Sequence, residues 1–475
     1  MVSQAGLGSS FNVVKMVNHR KLKSFLSKSL VFLSVIAIYI QIANNGHTRI
    51  LNPLFDQLRQ NVIDELIIEK QQNNELSPSV DILLKMMKNF QSVDNYSYGQ
   101  TITNDYAEIE RCQRFGLEFN PERKTRRRIF FGSLVADESW HSIVAHAVEA
   151  HGLYHSVSLV ESNTTISTGN VQPRQRNFTP NSLNLRVLQS GIFGHRTKVT
   201  VDFYVDRPEV RTNLIWNGVE LMQRELITDR WKANGMTADD IGIIGDVDET
   251  FSRDFLLAAQ TCDIPEFRPN FDCHNPKISA KTLIFEASPE CYWKNREWFH
   301  PDMMSGQCID KIGDETLHKP AQREWNGIGN RMAGYGDRNI NYENMPDVTM
   351  YPLWKPEEFR MFHEGDVDYS NSQGINGFHF HNFFSSMETM RHKYKTYGHP
   401  LGDDADKALF KIHPDTKLFA RCVTGMMVDP NENGVSFDSI KGPTPVLYRI
   451  SKEYRKARHD ELSEMVKKDI SVHGT

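Results

Sequence analysis

The sequence predicts an α/β domain on a mixed, mostly parallel sheet, and three observations predict it. From Arg126 onward, short apolar runs alternate with segments whose apolar residues recur at helical spacing. One run, Ile241-Gly242-Ile243-Ile244-Gly245, ends in the acidic turn Asp246-Val247-Asp248-Glu249, and a parallel sheet carries its site at the carboxyl ends of its strands. The chain has 475 residues, 39% of them hydrophobic, enough for two or three domains with a substantial core.

Taken in order, residues 1–28 form a basic tail, because Lys15, Arg20, Lys21, Lys23 and Lys28 all precede the first acid, Asp56. Residues 29–43 carry no charge and include Leu30, Val31, Phe32, Leu33, Val35, Ile36, Ile38 and Ile40, about 22 Å of apolar helix. The expectation is a signal anchor whose basic end stays cytosolic, a single-pass type II arrangement with everything after Asn44 in a lumen. A cleaved signal peptide fits less well, since the basic region is long and no small-x-small site follows. A mitochondrial presequence would lack the unbroken apolar core.

Residues 44–122 read as stem and linker. Leu51, Leu54, Leu58, Val62 and Leu66 recur at helical spacing, a stripe that suits either a homo-oligomer through the stem or packing on the chain's own domain. The polar stretch from Gln71 to Tyr106 holds one helical patch, 82–90. Lumenal exposure agrees with sequons at Asn95, Asn163 and Asn177 and with six cysteines, all after the anchor. The short-loop pairings Cys262–Cys273 and Cys291–Cys308 are expected, and no paired C-x-x-C zinc pattern occurs.

The catalytic domain is expected over 123–430. Arg128 to Val135 is a buried strand, followed by a helix through Trp140, Ile143, Val144, Ala147 and Val148 that Gly152 stops. Val157 to Val160 is the next strand; Ile215, Val219, Met222 and Leu226 mark a helix; Ile241 to Gly245 is a strand; and Ser252 caps a helix through Phe255, Leu256 and Ala259. Residues 431–475 form a charged C-terminal segment. Ser133, Glu161 and Asp246 fall at or near strand ends.

Residues two apart on a strand share a face, so Asp246 and Asp248 leave side by side and offer the oxygen ligands that Mn²⁺ or Mg²⁺ favours. His379 and His381 alternate across Phe380 and could complete the coordination. A second triplet, Asp366-Val367-Asp368, follows Phe362-His363-Glu364-Gly365 instead of an apolar strand and reads as surface. A net charge of −5 without a long basic block argues against nucleic acid as partner.

The pattern Ala238-Asp239-Asp240-Ile241, a buried strand, Asp246-Val247-Asp248-Glu249 and Arg253-Asp254 resembles glycosyltransferase family 17, which includes the β-1,4-mannosyl-glycoprotein 4-β-N-acetylglucosaminyltransferases. Glu161-Ser162-Asn163, Arg224 and Gly377-Phe378-His379 match as well. The resemblance spans Arg126 to His399, with departures in the loops from Asp263 to Asp368 and at Phe380-His381, where the family carries a cysteine-containing stretch.

The resemblance implies a GT-A-type, Rossmann-like nucleotide-sugar domain in the Golgi lumen. It also implies inverting transfer of GlcNAc from UDP-GlcNAc to a mannose of an N-glycan-like acceptor. Asp248 is then the direct ligand of Mn²⁺ (or Mg²⁺), with Asp246 on metal-bound water or ribose. Arg224 and Arg253 serve the phosphates, and Ser133, Glu161 and Asn163 the nucleotide sugar. The base is Glu249, Glu286 or Asp302, with Glu286 preferred for its place at a strand end. Two other readings stay open. One is a haloacid-dehalogenase-type phosphatase with Asp246 as nucleophile and the Gly402-Asp403-Asp404-Ala405-Asp406 cluster as its late metal motif. The other is a non-catalytic lumenal glycan-binding protein.

Overall fold

The computed structural model describes residues 52–72, 78–91, 101–102, 106–136, 140–165, 172–206, 218–268, 273, 277–314, 360, 375–396, 434–436, 445–446 and 451–473. The chain divides into two compact units, Met1–Leu58 and Arg59–Thr475; of the first, only the start of one helix is described. The expected anchor at 29–43, Asn95, Asp366, Asp368, the 402–406 cluster and Cys422 lie outside the described residues. Among the described residues no helix is long and apolar enough to cross a membrane.

In chain order the helices are α1 (Asn52–Gln72), α2 (Pro78–Gln91), α3 (Tyr106–Arg114), α4 (Trp140–Ala150), α5 (Leu183–Gln189), α6 (Gly218–Ala233), α7 (Arg253–Thr261), α8 (Met387–Thr396) and α9 (Lys452–His473). The strands are β1 (Glu118–Phe119), β2 (Ile129–Val135), β3 (Tyr154–Ser162), β4 (Lys198–Tyr204), β5 (Ile241–Ile244), β6 (Glu249–Phe251) and β7 (Cys262–Asp263). They continue with β8 (Lys277–Ser279), β9 (Thr282–Glu286), β10 (Cys291–Trp298), β11 (Asp302–Ser305), β12 (Gly377–His381) and β13 (Gly434–Ser436).

The fold is mixed α/β. The main sheet has the order β4-β3-β2-β5-β11-β8, with β4, β3, β2 and β5 mutually parallel and β11 and β8 antiparallel. The near-continuous apolar run of β2 suits a strand flanked by parallel neighbours and covered on its faces by helices. Gly132 and Gly242 allow α6 to lie close, since a Cβ at either position would run into the side chain of Trp231. A second sheet, β13-β10-β9-β12-β6, pairs β12 parallel to β9 and antiparallel to β6.

The helices before and after these sheets belong to the same core. Ile63 and Leu66 of α1 are fully buried with Leu83, Leu84 and Met87 of α2, so these stem residues pack on the chain's own domain and are withdrawn from any oligomer face. Within the second unit, α9 packs on α2, and Glu461 accepts from the backbone N–H of Ser79 at 2.6 Å and from its hydroxyl.

The cysteine pairing differs from the short-loop expectation. Cys112 bonds Cys262 and Cys273 bonds Cys308, while Cys291 is also disulfide-bonded; Cys262–Cys273 and Cys291–Cys308 do not form. The reason is tertiary: pairing of β1 with β7 carries Cys262 to α3, with its Cα 5.6 Å from that of Cys112. Strand pairing decides proximity where sequence spacing does not.

The Cys112–Cys262 bridge spans 150 residues of chain and Cys273–Cys308 spans 35. By loop-closure entropy, replacing the first pair with alanines should cost about 5 kcal/mol and the second about 4. Urea unfolding of the two double variants checks both the size and the order.

Candidate active site

The chain builds β3 and β4 on one side of β2 and then crosses to place β5 on the other. The strand order reverses between β2 and β5, and a crevice opens at the carboxyl ends of such a pair. The turn Asp246–Glu249 leaves β5 at that point and runs into β6, which pairs with β12 so that Glu249 lies opposite His379.

Five backbone groups of this turn are committed. Glu249 N–H donates to Asp246 O at 3.0 Å, and Phe380 N–H donates to Asp248 O at 2.7 Å. Asp246 N–H donates to Glu249 Oε2 at 2.7 Å. Beneath it, His146 donates from Nδ1 to Val247 O at 2.9 Å and accepts at Nε2 from the Tyr154 hydroxyl at 3.0 Å. Burial holds His146 neutral, with its pKa lowered to about 4.

Two of the three carboxylates are committed too. Asp246 Oδ1 accepts from Arg224 at 3.0 Å and Oδ2 from Arg360 at 2.9 Å. Arg360 also reaches Glu249 at 2.8 Å, and Trp298 Nε1 donates to Glu249 Oε1 at 2.7 Å. Burial opposes ionisation of Asp246, but the Arg360 and Arg224 guanidiniums outweigh it and hold its carboxyl well below the usual range.

Asp248 is the exception. Its side chain is 20% exposed; the closest charged group is His379, whose Nε2 stands 3.6 Å from Oδ2, and Lys393 adds a weaker attraction. Burial works against both charges, yet each partner favours the other's ionised form: the carboxyl is lowered and the imidazole raised. Trp298 stacks on the His379 ring at 5.6 Å, and His379 Nδ1 is buried with no hydrogen-bond partner among the described residues.

Two donors each about 2.1 Å from one divalent ion stand roughly 3.0–3.4 Å apart. Asp248 Oδ2 and His379 Nε2, 3.6 Å apart, stand a few tenths of an ångström wider than this, so a shared ion would have to draw them together, with further positions left for water or substrate phosphate. Among the described residues no group of three or more His, Cys, Asp or Glu side chains is arranged to hold a metal. The His381 ring stands 5.2 Å from that of His379, but its Nδ1 is engaged, meeting Glu286 Oε2 at 2.8 Å, while Asn382 donates to Glu286 Oε1 at 2.7 Å.

The turn thus gathers Asp246, Asp248, Glu249, Arg224 and His379, with His381 and Glu286 next to them. The other candidates are spent elsewhere. Ser133 is fully buried and donates to Leu134 O. Glu161 accepts from the N–H groups of Asn177 and Phe178, and Asn163 accepts from Asp206 N–H at 2.8 Å, so both anchor loops. Asn177 is half-buried and donates to Ala136 O. Arg253 donates to the carbonyls of Glu149 and His151, capping the end of α4. Asp302 is fully buried among Lys277, His300 and Ser279, and its carboxyl is lowered to about 2, with burial overcome by Lys277 and His300.

Arg360 and Trp298 escaped sequence reading. Trp298 precedes Phe299-His300, an aromatic cluster that was visible; Arg360 stands in a stretch with no periodic signal.

Replacing Arg360 with Met leaves Asp246 and Glu249 short of a cation and should cost about 3 kcal/mol. Asp248→Asn should cost less than about 1 kcal/mol; chemical denaturation of both separates support from site. A pH test concerns His146. The unfolded chain takes up a proton near 6.5 and the folded one only near 4, so stability falls as pH drops through that window, by about 3 kcal/mol. His146→Gln should flatten that part of the stability profile.

No protein-family model matches this chain, and no curated protein is similar to it.

Proposed function

We propose that this chain is a GT-A-type, metal-dependent inverting glycosyltransferase that moves GlcNAc from UDP-GlcNAc to a mannose of an N-glycan-like acceptor, anchored as a type II protein in the Golgi membrane. The observation that carries the reading is the pairing of Asp248 with His379 at the carboxyl end of β5, where the sheet order reverses. The parallel order β4-β3-β2-β5, followed by an antiparallel β11, supports a Rossmann-like nucleotide-binding half.

Asp248 and His379 are the residues that would hold Mn²⁺ or Mg²⁺. When bound there, the cation supplies Lewis-acid neutralisation of a departing diphosphate. Asp246 and Glu249 act on the turn and not on substrate: through Arg224, Arg360 and Trp298 they fix where Asp248 stands. Trp298 covers the His379 ring and keeps it in one orientation. Of the three carboxylates expected as bases, Glu249, Glu286 and Asp302 are all buried and paired. Glu286 is therefore assigned to orienting His381, whose side chain is 14% exposed.

The phosphatase reading needs Asp246 as a free nucleophile, and both of its oxygens are held by guanidiniums. A glycan-binding protein without turnover would bind acceptor and hydrolyse nothing.

The test uses the purified full chain. Calorimetric titration with Mn²⁺ should show affinity falling about 100-fold in Asp248→Asn and in His379→Ala, with transfer from UDP-GlcNAc lost in parallel. Transfer that survives EDTA, or phosphomonoester hydrolysis without sugar transfer, would overturn the proposal.

A further inference from the structure

The C-terminal helix α9 sends one side chain into the ground beneath the histidine pair. Arg458 is fully buried; its Nε donates to Ala287 O at 3.0 Å and its Nη2 to Phe384 O at 2.6 Å. Its Nη1 lies 3.5 Å from His141 Nε2, and the other ring nitrogen of His141 is 2.9 Å from the Tyr454 hydroxyl. Among the described residues no carboxylate pairs with this guanidinium.

Glu461, one turn along α9, is the carboxylate that favours its charge, but both Glu461 oxygens accept from Ser79; a buried cation so weakly compensated is costly, and an apolar side chain of similar volume is the more stable choice where only packing is needed. What Arg458 offers instead is a planar fork that meets fixed acceptors at fixed angles. The two carbonyls it holds are the ones that follow the strand ends. Ala287 comes directly after Glu286 of β9, and Phe384 comes shortly after His381 of β12. Both chains reverse there through left-handed residues, Ala287 at φ 59° and Asn382 at φ 55°, a conformation non-glycine residues hold only when their surroundings insist. The two reversals are also joined to each other, since Ala287 N–H donates to His381 O at 2.7 Å and Asn382 donates to Glu286.

We infer that Arg458 is a positioning residue: from α9 it pins the ends of β9 and β12 and so sets the Glu286–His381 pair and, one residue pair along the same strand, the ring of His379. That the pair serves a metal-dependent transferase rests on the reading above, while the positioning itself does not. With Glu286 accepting, His381 is held as the Nδ1–H tautomer. Fixing the carboxylate fixes the tautomer.

The experiment compares Arg458→Lys, Arg458→Met and Tyr454→Phe in the full chain. Ring-nitrogen NMR of ¹⁵N-histidine-labelled protein is the first readout, with the His381 signals assigned through His381→Asn. Calorimetric Mn²⁺ titration and melting temperature are the second and third. Lys cannot reach both carbonyls at once, so in Arg458→Lys the His381 signals should shift from a single Nδ1–H form to an exchanging mixture. Mn²⁺ affinity should fall about 10-fold. Tyr454→Phe removes the hydroxyl partner of His141 and should lower the melting temperature while leaving the His381 signals alone. If Arg458→Met fails to fold, Arg458→Lys still decides. An unchanged His381 tautomer in a folded Arg458→Lys variant overturns the inference. Loss of the tautomer in a protein that never bound Mn²⁺ keeps the inference and overturns the metal reading instead.

Discussion

The antiparallel contact of β6 with β12 is the constraint on which the site depends. It sets Glu249 opposite His379 and lets Phe380 N–H close on Asp248 O, and so joins the acidic turn of the main sheet to the second sheet. Without it, Asp248 would be a surface carboxylate at a strand end and His379 a buried imidazole among aromatic rings. With it, an oxygen and a nitrogen donor stand 3.6 Å apart at the end of β5.

Charge around the turn is arranged so that every carboxylate but one is held by close donors, whatever its exposure. Asp302, Glu249 and Glu286 are buried and each meets a cation, an imidazole or an amide. Asp246 is 41% exposed and still has a guanidinium on each oxygen. Asp248, 20% exposed, is held less tightly, with one imidazole 3.6 Å away. A cluster in which all acids were equally open would repel itself apart. One in which all were neutralised would bind no cation.

Much of this was legible in the sequence, for identifiable reasons. Strands β2, β3 and β5 announce themselves as apolar runs, α7 by the Ser252 cap, and the acidic turn by the two-residue spacing of Asp246 and Asp248. The pairing of His379 with Asp248 was legible only as two motifs, because the register that joins them is a tertiary fact. Three things failed to show for the same reason. Cys262 bonds Cys112 because β1 meets β7; Glu161 and Arg253 look like site residues in sequence but are used up on neighbouring backbone; and Arg360 has no local pattern to mark it. Sequence periodicity reports which face of an element is buried, not what lies across from it.

The β6–β12 contact has a consequence for the order of events during synthesis. The acidic turn is made early, whereas its partner strand is made only after β8 to β11 have been added. Long-range pairing of this kind is slow to close because the intervening chain must first be gathered. A nascent chain therefore presents Asp246, Asp248 and Glu249 to its surroundings as ordinary solvated acids, and a selective donor set comes into being only when the second sheet is in place. On the proposed reading, affinity for a cation is a report that folding has finished, and a truncated or misregistered chain would be silent.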